Sequence, residues 1–176
     1  ITYVVMDNQI YGLTKGQTSP RSAKGFITKS TPGGAIEPSL KPLELALTSG
    51  ATFVAQGFST DIKELTALIE AGLNHKGFSF INVFSPCVTY NKVNTYDWFK
   101  ENLTKLSDIE GYDSSNRQLA MQTVMQREGL VTGIVYHDKE TKSYQEKVEG
   151  YSEIPLTDID ISLSEDQFDQ LVKEFM

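Results

Sequence analysis

The chain opens on a short continuous apolar run. Residues 3–6 are rich in valine and stop at the polar pair Asp7-Asn8. Such a run suits a strand covered on both faces, as in a parallel sheet. The next patterned stretch begins at Pro42, which fits the first turn of a helix because its missing N–H is not needed there. Leu43, Ala46 and Leu47 share one face, and Gly50 marks a stop. Residues 53–56 predict a strand, followed by a turn at Gln56-Gly57. Ile62, Leu65, Leu68, Ile69 and Leu73 then recur at helical spacing. Asp61 is the expected cap, with Glu64 three residues on and Gly77 as the stop. Residues 78–84 form a third apolar strand. Strand, helix and strand with short links imply a right-handed parallel crossover.

The later chain is less regular. Residues 95–103 predict a short helix with Trp98, Phe99 and Leu103 inward. Ser115 and Gln118 have capping-box spacing before a helix that stops at Gly129. Residues 130–136 read as a strand on their Val and Ile content. Residues 137–160 are polar and turn-rich. Ser164 and Gln167 open a last helix bearing Phe168, Leu171, Val172 and Phe175. The expected architecture is α/β with a parallel sheet. Residues 1–136 form its core and residues 137–176 an extension ending in a helix. Between the first strand and Pro42 lies a long glycine-rich loop, with Gly12, Gly16, Gly25, Gly33 and Gly34. Loops of that length are commonly functional.

The 176 residues fit one domain, with a core large enough to need no disulfide. Cys87 is the only cysteine, so a disulfide scaffold is excluded. The net charge of −7 argues against a nucleic-acid surface. Arg117, Arg127, Lys139, Lys142, Lys147 and Lys173 are interleaved with acids and read as solvated surface. No apolar run reaches membrane-span length, and no signal-peptide pattern is present.

In open α/β sheets ligands bind beyond the carboxyl ends of the strands. Three features fall at such ends: the loop after Asp7, the Gln56-Gly57 turn, and Ser85-Pro86-Cys87. Magnesium takes hard oxygen ligands and often bridges to phosphates. The side-chain oxygen of Asn8 and the carbonyl of Ile10 have the spacing to point at one ion. Gly12 and Gly16 let backbone N–H groups approach a diphosphate. Thr14 and Gln17 add neutral hydrogen bonds, and Lys15 adds one positive charge. The same residues would also make an ordinary loop. His75 reads as a helix-end residue favoured by the helix dipole. His137 reads as a turn residue, and the two give no zinc site.

The wording of that loop narrows the choice. Residues 4–20, VVMDNQIYGLTKGQTSP, resemble the corresponding segment of 2-oxoacid:ferredoxin oxidoreductase β subunits. The resemblance continues through PLELALTSGATFVAQGFS (42–59), GFSFINVFSPCVTYN (77–91) and NTYDWFKENL (94–103). It weakens after about residue 137.

The resemblance implies a thiamine-diphosphate-binding α/β fold in which residues 7–35 form the cofactor loop. Asn8 and the Ile10 carbonyl would bind Mg2+. Asp7, Asn8, Gly12, Leu13 and Thr14 would lie along the cofactor, and Lys15 would meet the 2-oxoacid carboxylate. Cys87 would be the last of four ligands to a 4Fe–4S cluster. The implied reaction is oxidative decarboxylation of a 2-oxoacid to acyl-CoA and CO2, with electrons passed to ferredoxin. 2-Oxoglutarate is the favoured substrate, because Lys15 can pair with a second carboxylate; pyruvate is the alternative. The implied partners are an α subunit, ferredoxin, the 2-oxoacid and coenzyme A, in the cytoplasm. The glutamate that activates the cofactor is expected on the α subunit, so no catalytic residue is assigned here.

The sequence departs from the family in two ways. The family's Gly-Asp-Gly and its first three cluster cysteines lie upstream of the matched region, which implies a parent truncated at its N-terminus. Such a piece alone would hold its cofactors weakly or not at all. The second departure is Arg21, where the family more often has a small residue; it reads as a surface change. Two rival readings remain. One is an inert folded module that only makes contact with other subunits. The other is a different thiamine-dependent decarboxylase, against which Cys87 argues.

Overall fold

Asp7 and Phe84 end two neighbouring strands of one sheet. The computed structural model describes residues 1–175. Among these, β1 (Thr2–Asp7) pairs in parallel with β3 (Ser79–Phe84), and β3 with β2 (Phe53–Phe58). β2 runs antiparallel to β5 (Val131–His137), which carries the two-residue β4 (Thr104–Lys105) on its other side. The strand order is β1-β3-β2-β5-β4. The sheet is thus mixed, with the expected parallel core and an antiparallel neighbour.

Side chains alternate across a strand, so each face collects its own helices. α1 (Pro42–Thr48) and α4 (Arg117–Gln126) cover one face. There Leu43, Leu47, Ala120 and Val124 pack on Val54, Phe80, Val131 and Val135. α2 (Ile62–Asn74) covers the other, with Leu68 packed among Phe53, Ala55, Ile81 and Val83. α3 (Tyr96–Asn102) buries Phe99 against Phe58 and Phe84 at the carboxyl ends of the strands. Phe53, Val54 and Ile81 are fully buried, and each such side chain contributes about 1.5–3 kcal/mol.

The expected cap on α2 is present, since the Asp61 side chain accepts from the Glu64 N–H at 3.1 Å. The cap on α4 is one residue later than the pattern indicates. Asn116 accepts from the Gln118 and Leu119 N–H groups, while the Ser115 hydroxyl is taken by Asp113. Asn ranks with Ser at this position, so the register of the chain decides between them.

Three further expectations change. β1 is not covered on both faces. It lies at the sheet edge, with Tyr3 56%, Val4 38% and Met6 65% exposed. An apolar run shows what can be covered, and here the helices pack over β2 and β3. Gln56 is not in a turn. β2 continues to Phe58, and Gln56 is buried inside it. Arg117 is not solvated surface. It donates to the Leu47 carbonyl at 2.6 Å and the Ala51 carbonyl at 2.9 Å, and lies over the Tyr136 ring.

Residues 144–176 form a separate unit. It contains α5 (Tyr144–Lys147) and α6 (Glu165–Glu174). The Ser164–Gln167 capping box is present in both directions. Phe168, Leu171, Val172 and Phe175 all remain exposed. The unit holds nine acids and two lysines, which is the whole net charge of −7. That charge therefore says nothing about the surface of residues 1–143. Among the described residues, no helix is long and apolar enough to cross a membrane.

Candidate functional site at the carboxyl ends of β1 and β3

The site begins with strand register. Asp7 stands opposite Phe84, and the Asp7 carbonyl accepts from the Ser85 N–H at 2.9 Å. Whatever follows β1 therefore runs beside whatever follows β3. That places Asn8, Gln9 and Ile10 next to Ser85, Pro86 and Cys87. Further contacts join the two loops. Asn91 donates from its side-chain nitrogen towards the Asn8 carbonyl at 3.5 Å. A Cβ on Gly12 would stand 3.1 Å from Cys87 Sγ and 3.9 Å from the Asn8 side-chain nitrogen.

The first loop has a defined shape. The Ile10 N–H donates to Asn8 Oδ1 at 3.2 Å, and Gln9 takes a left-handed φ of 58° to allow it. Asn and Asp side chains favour such local turns. The Ile10 side chain is then buried and anchors the chain. Beyond it, Tyr11 and Gln17 form a bridge. The Tyr11 N–H donates to the Gln17 carbonyl and the Gly16 N–H to the Tyr11 carbonyl, both at 2.9 Å. Lys15 has φ 70°, and the Lys15 N–H donates to the Gly12 carbonyl at 3.1 Å. Gly16 has φ 93° and lies on the Tyr90 ring, which a Cβ would meet at 2.9 Å. Only glycine tolerates that combination. The result is a closed tip with Leu13 fully exposed and Thr14 and Lys15 beside it in solvent.

Of the expected site residues, Asn8 lies beside Ile10 and Gly12, and Gly12 lies against Cys87. Leu13, Thr14 and Lys15 project from the tip. Asp7 is different: it is buried beneath the loop, and its Oδ2 takes Arg21 and Asn82. The side-chain oxygen of Asn8 and a backbone carbonyl are neutral hard donors of the kind magnesium accepts. An amide oxygen has two lone pairs, so the bond from the Ile10 N–H does not exclude a cation. This donor set fits part of a magnesium shell.

Cys87 is part-exposed. Burial pushes its thiol up, but the backbone N–H groups of Tyr90, Thr89 and Asn91 lie around the start of the following turn, where the Asn91 N–H donates to the Cys87 carbonyl at 3.0 Å, and they favour the thiolate. With the charge of Lys92 they outweigh burial and hold the thiol below its ordinary value. A sulfur so surrounded suits a thiolate ligand. A cluster takes about four thiolates. As the only cysteine, Cys87 can supply one corner.

Two features escaped the pattern of residues. Arg21 is an ion-pair partner of a buried carboxylate, not a surface change. His75 and His137 are in ring contact at 5.2 Å, with His75 Nε2 2.8 Å from the Thr52 hydroxyl. Both sit on Phe53. No signal in the sequence joined residues so far apart; the pairing of β2 with β5 brings them together. Among the described residues, no group of three or more His, Cys, Asp or Glu side chains is placed to hold a metal.

The fold and the loop agree with the class that comparison with known proteins gives, the thiamine pyrophosphate enzymes. Residues 1–83 match the family described as "Thiamine pyrophosphate enzyme, C-terminal TPP binding domain". Residues 87–153 match the family of the C-terminal region of the pyruvate ferredoxin oxidoreductase β chain. Within that class, the chain belongs to the 2-oxoacid:ferredoxin oxidoreductase β-subunit family. It is 34% identical over 159 residues to such a protein from a Sulfolobus species, covering 85% of this chain and 52% of that one. A Saccharolobus solfataricus relative of the same description is 41% identical over 113 residues, covering 64% and 37%. The 2-oxoglutarate oxidoreductase subunit KorB of Mycobacterium tuberculosis is 40% identical over 91 residues, covering 52% and 24%. The fold matches the 2-oxoglutarate:ferredoxin oxidoreductase from Magnetococcus marinus solved with 2-oxoglutarate, coenzyme A and succinyl-CoA bound. There the TM-score is 0.74 and the identity 39%, over 80% of this chain and 48% of that one. The chain spans about half the length, or less, of the curated relatives it matches.

Proposed function

We propose that this chain is the cofactor-loop part of a 2-oxoacid:ferredoxin oxidoreductase that oxidises 2-oxoglutarate in preference to pyruvate. The observation that carries the reading is the register of β1 and β3. It brings the loop of Asn8, Ile10 and Gly12 to Cys87 through Gly12, so a diphosphate–metal site and a cluster ligand would adjoin. Asn8 and the Ile10 carbonyl would hold Mg2+. Gly12, Leu13 and Thr14 would lie along the thiamine diphosphate. Asp7 would support that loop. Cys87 would be one of the four ligands to a 4Fe–4S cluster. When bound, thiamine diphosphate supplies an electron sink for decarboxylation, and the cluster accepts electrons singly. Gln9 and Lys15 both hold left-handed backbone, and such outliers cluster at functional sites.

Lys15 stands at the exposed tip, where its ammonium can reach a substrate that arrives from the α subunit. A second carboxylate on the substrate gives it a second anion to pair with. The 2-oxoglutarate named for two of the matched proteins supports this choice. The remaining partners are the α subunit, ferredoxin and coenzyme A, in the cytoplasm. Replacing Lys15 by Ala in the intact complex is expected to lower the 2-oxoglutarate to pyruvate rate ratio. An unchanged ratio would remove Lys15 from substrate choice. Titration of the same complex with Mg2+ and thiamine diphosphate tests the site itself, and undiminished binding in Asn8→Ala would overturn it.

A further inference from the structure

Asp7 precedes Asn8, and its side chain is only 1% exposed. A carboxylate that deep needs a counter-charge and hydrogen bonds. Arg21 supplies both. Its Nε donates to Asp7 Oδ2 at 2.9 Å, and Nη2 lies 2.8 Å from the same oxygen. Asn82 adds a longer bond to Oδ2 at 3.3 Å. Among the described residues, Asp7 Oδ1 accepts none.

Arg21 reaches further. Its Nη1 donates to the Ser39 hydroxyl at 2.9 Å and to the Leu40 carbonyl. Ser39 donates back to the Arg21 carbonyl at 3.0 Å, and the Leu40 N–H donates to the Pro20 carbonyl at 2.7 Å. The guanidinium therefore joins the end of β1 to the entry of α1, closing the loop at both ends. Ser22 donates its hydroxyl to the Gln9 carbonyl at 2.8 Å. Residues 21 and 22 thus hold the side chain just before Asn8 and the carbonyl just after it.

We propose that Arg21 is a positioning residue for the metal site: by fixing Asp7, it holds Asn8 and Ile10 in the arrangement that receives magnesium. This rests on the reading of Asn8 and Ile10 as metal ligands. Arg21 also keeps Asp7 engaged beneath the loop, so its carboxylate does not swing up to compete for the ion. The two-pronged approach of a planar guanidinium suits this task better than an ammonium does.

The test uses the intact oxidoreductase complex, stripped of metal and cofactor, and calorimetric titration with Mg2+ and thiamine diphosphate. Arg21→Ala is expected to weaken binding about tenfold or more, as loss of a residue that orients a ligand does. The KM for the cofactor should rise while kcat at saturation holds. Arg21→Lys should recover part of the loss. Amide exchange over residues 8–17 should quicken in the stripped Arg21→Ala complex, before any ligand is added. If Arg21→Ala fails to assemble, Arg21→Gln, which removes the charge, must show the same weakening. Binding within about twofold of wild type in these variants, with Asn8→Ala abolishing it, would overturn the role of Arg21 alone. Wild-type binding in Asn8→Ala would overturn the metal-site reading beneath it.

Discussion

A methyl group on Gly12 would stand 3.1 Å from the sulfur of Cys87. The two residues are far apart in the chain, yet they form the contact between the candidate cofactor loop and the candidate cluster ligand. A side chain there forces the sulfur or the loop to give by tenths of an ångström. In the intact complex, Gly12→Ala is expected to change the electron paramagnetic resonance signal of the reduced cluster and to weaken cofactor binding. An unaltered spectrum and titration would show the contact to be slack.

The polar interior of the sheet makes a second test. Gln56 donates from Nε2 to the Gly129 and Val131 carbonyls, each at 2.7 Å, and accepts from Asn82 at 2.8 Å. Leucine would match its bulk and leave these groups without their partner. Gln56→Leu is expected to cost roughly 3 kcal/mol, measured by urea unfolding. A loss under about 1 kcal/mol would mean that water or a shifted side chain replaces the amide.

Arg117 ties α4 to the end of α1. Its bonds reach the Leu47 carbonyl in the last turn of α1 and the Ala51 carbonyl just beyond it. Its stacking on Tyr136 adds a cation–π contact at 4.2 Å. Arg117→Ala is expected to destabilise the fold by roughly 2 kcal/mol. Arg117→Lys should recover only part of this, because an ammonium cannot span both carbonyls and the ring. Full recovery by lysine would show that charge alone matters.

The histidine pair predicts a pH dependence. Both rings titrate below their ordinary value of 6.5. Burial is the main cause in each; the charge of His137 adds to it at His75, and that of Lys139 at His137. Asp138 opposes both. A lowered folded value means that the unfolded chain binds protons more readily. Stability is therefore full above 6.5 and is lost as the pH falls below it. The Tm is expected to drop between about pH 7 and about pH 5.5, and His75→Gln to flatten the drop. An equal drop in the variant would place the titration elsewhere.

Local pattern was enough for much of this fold. The spacing of Ile62, Leu65, Leu68 and Ile69 marks α2, because a helix repeats its buried face every three or four residues. Asp61 caps it because an N-terminal N–H needs an acceptor within reach. The Asn8–Gly16 loop was legible as a candidate site because its chemistry lies in a few adjacent residues. Partners distant in sequence were not legible. Arg21 looked like a surface residue until the 19–22 turn folded onto Asp7. Gln56 looked like the start of a turn until β2 was paired on both sides. β1 looked buried because its residues are apolar, whereas its burial depends on what lies beside it. His75 and His137 met only through the pairing of β2 with β5. The sequence by itself determined which segments form strands and helices and which loop could hold a diphosphate. Tertiary structure alone decided that Cys87 faces Gly12 and that Arg21 holds Asp7. The reason is physical: propensity and periodicity act over one or two turns of chain, while register across a sheet couples residues of any separation.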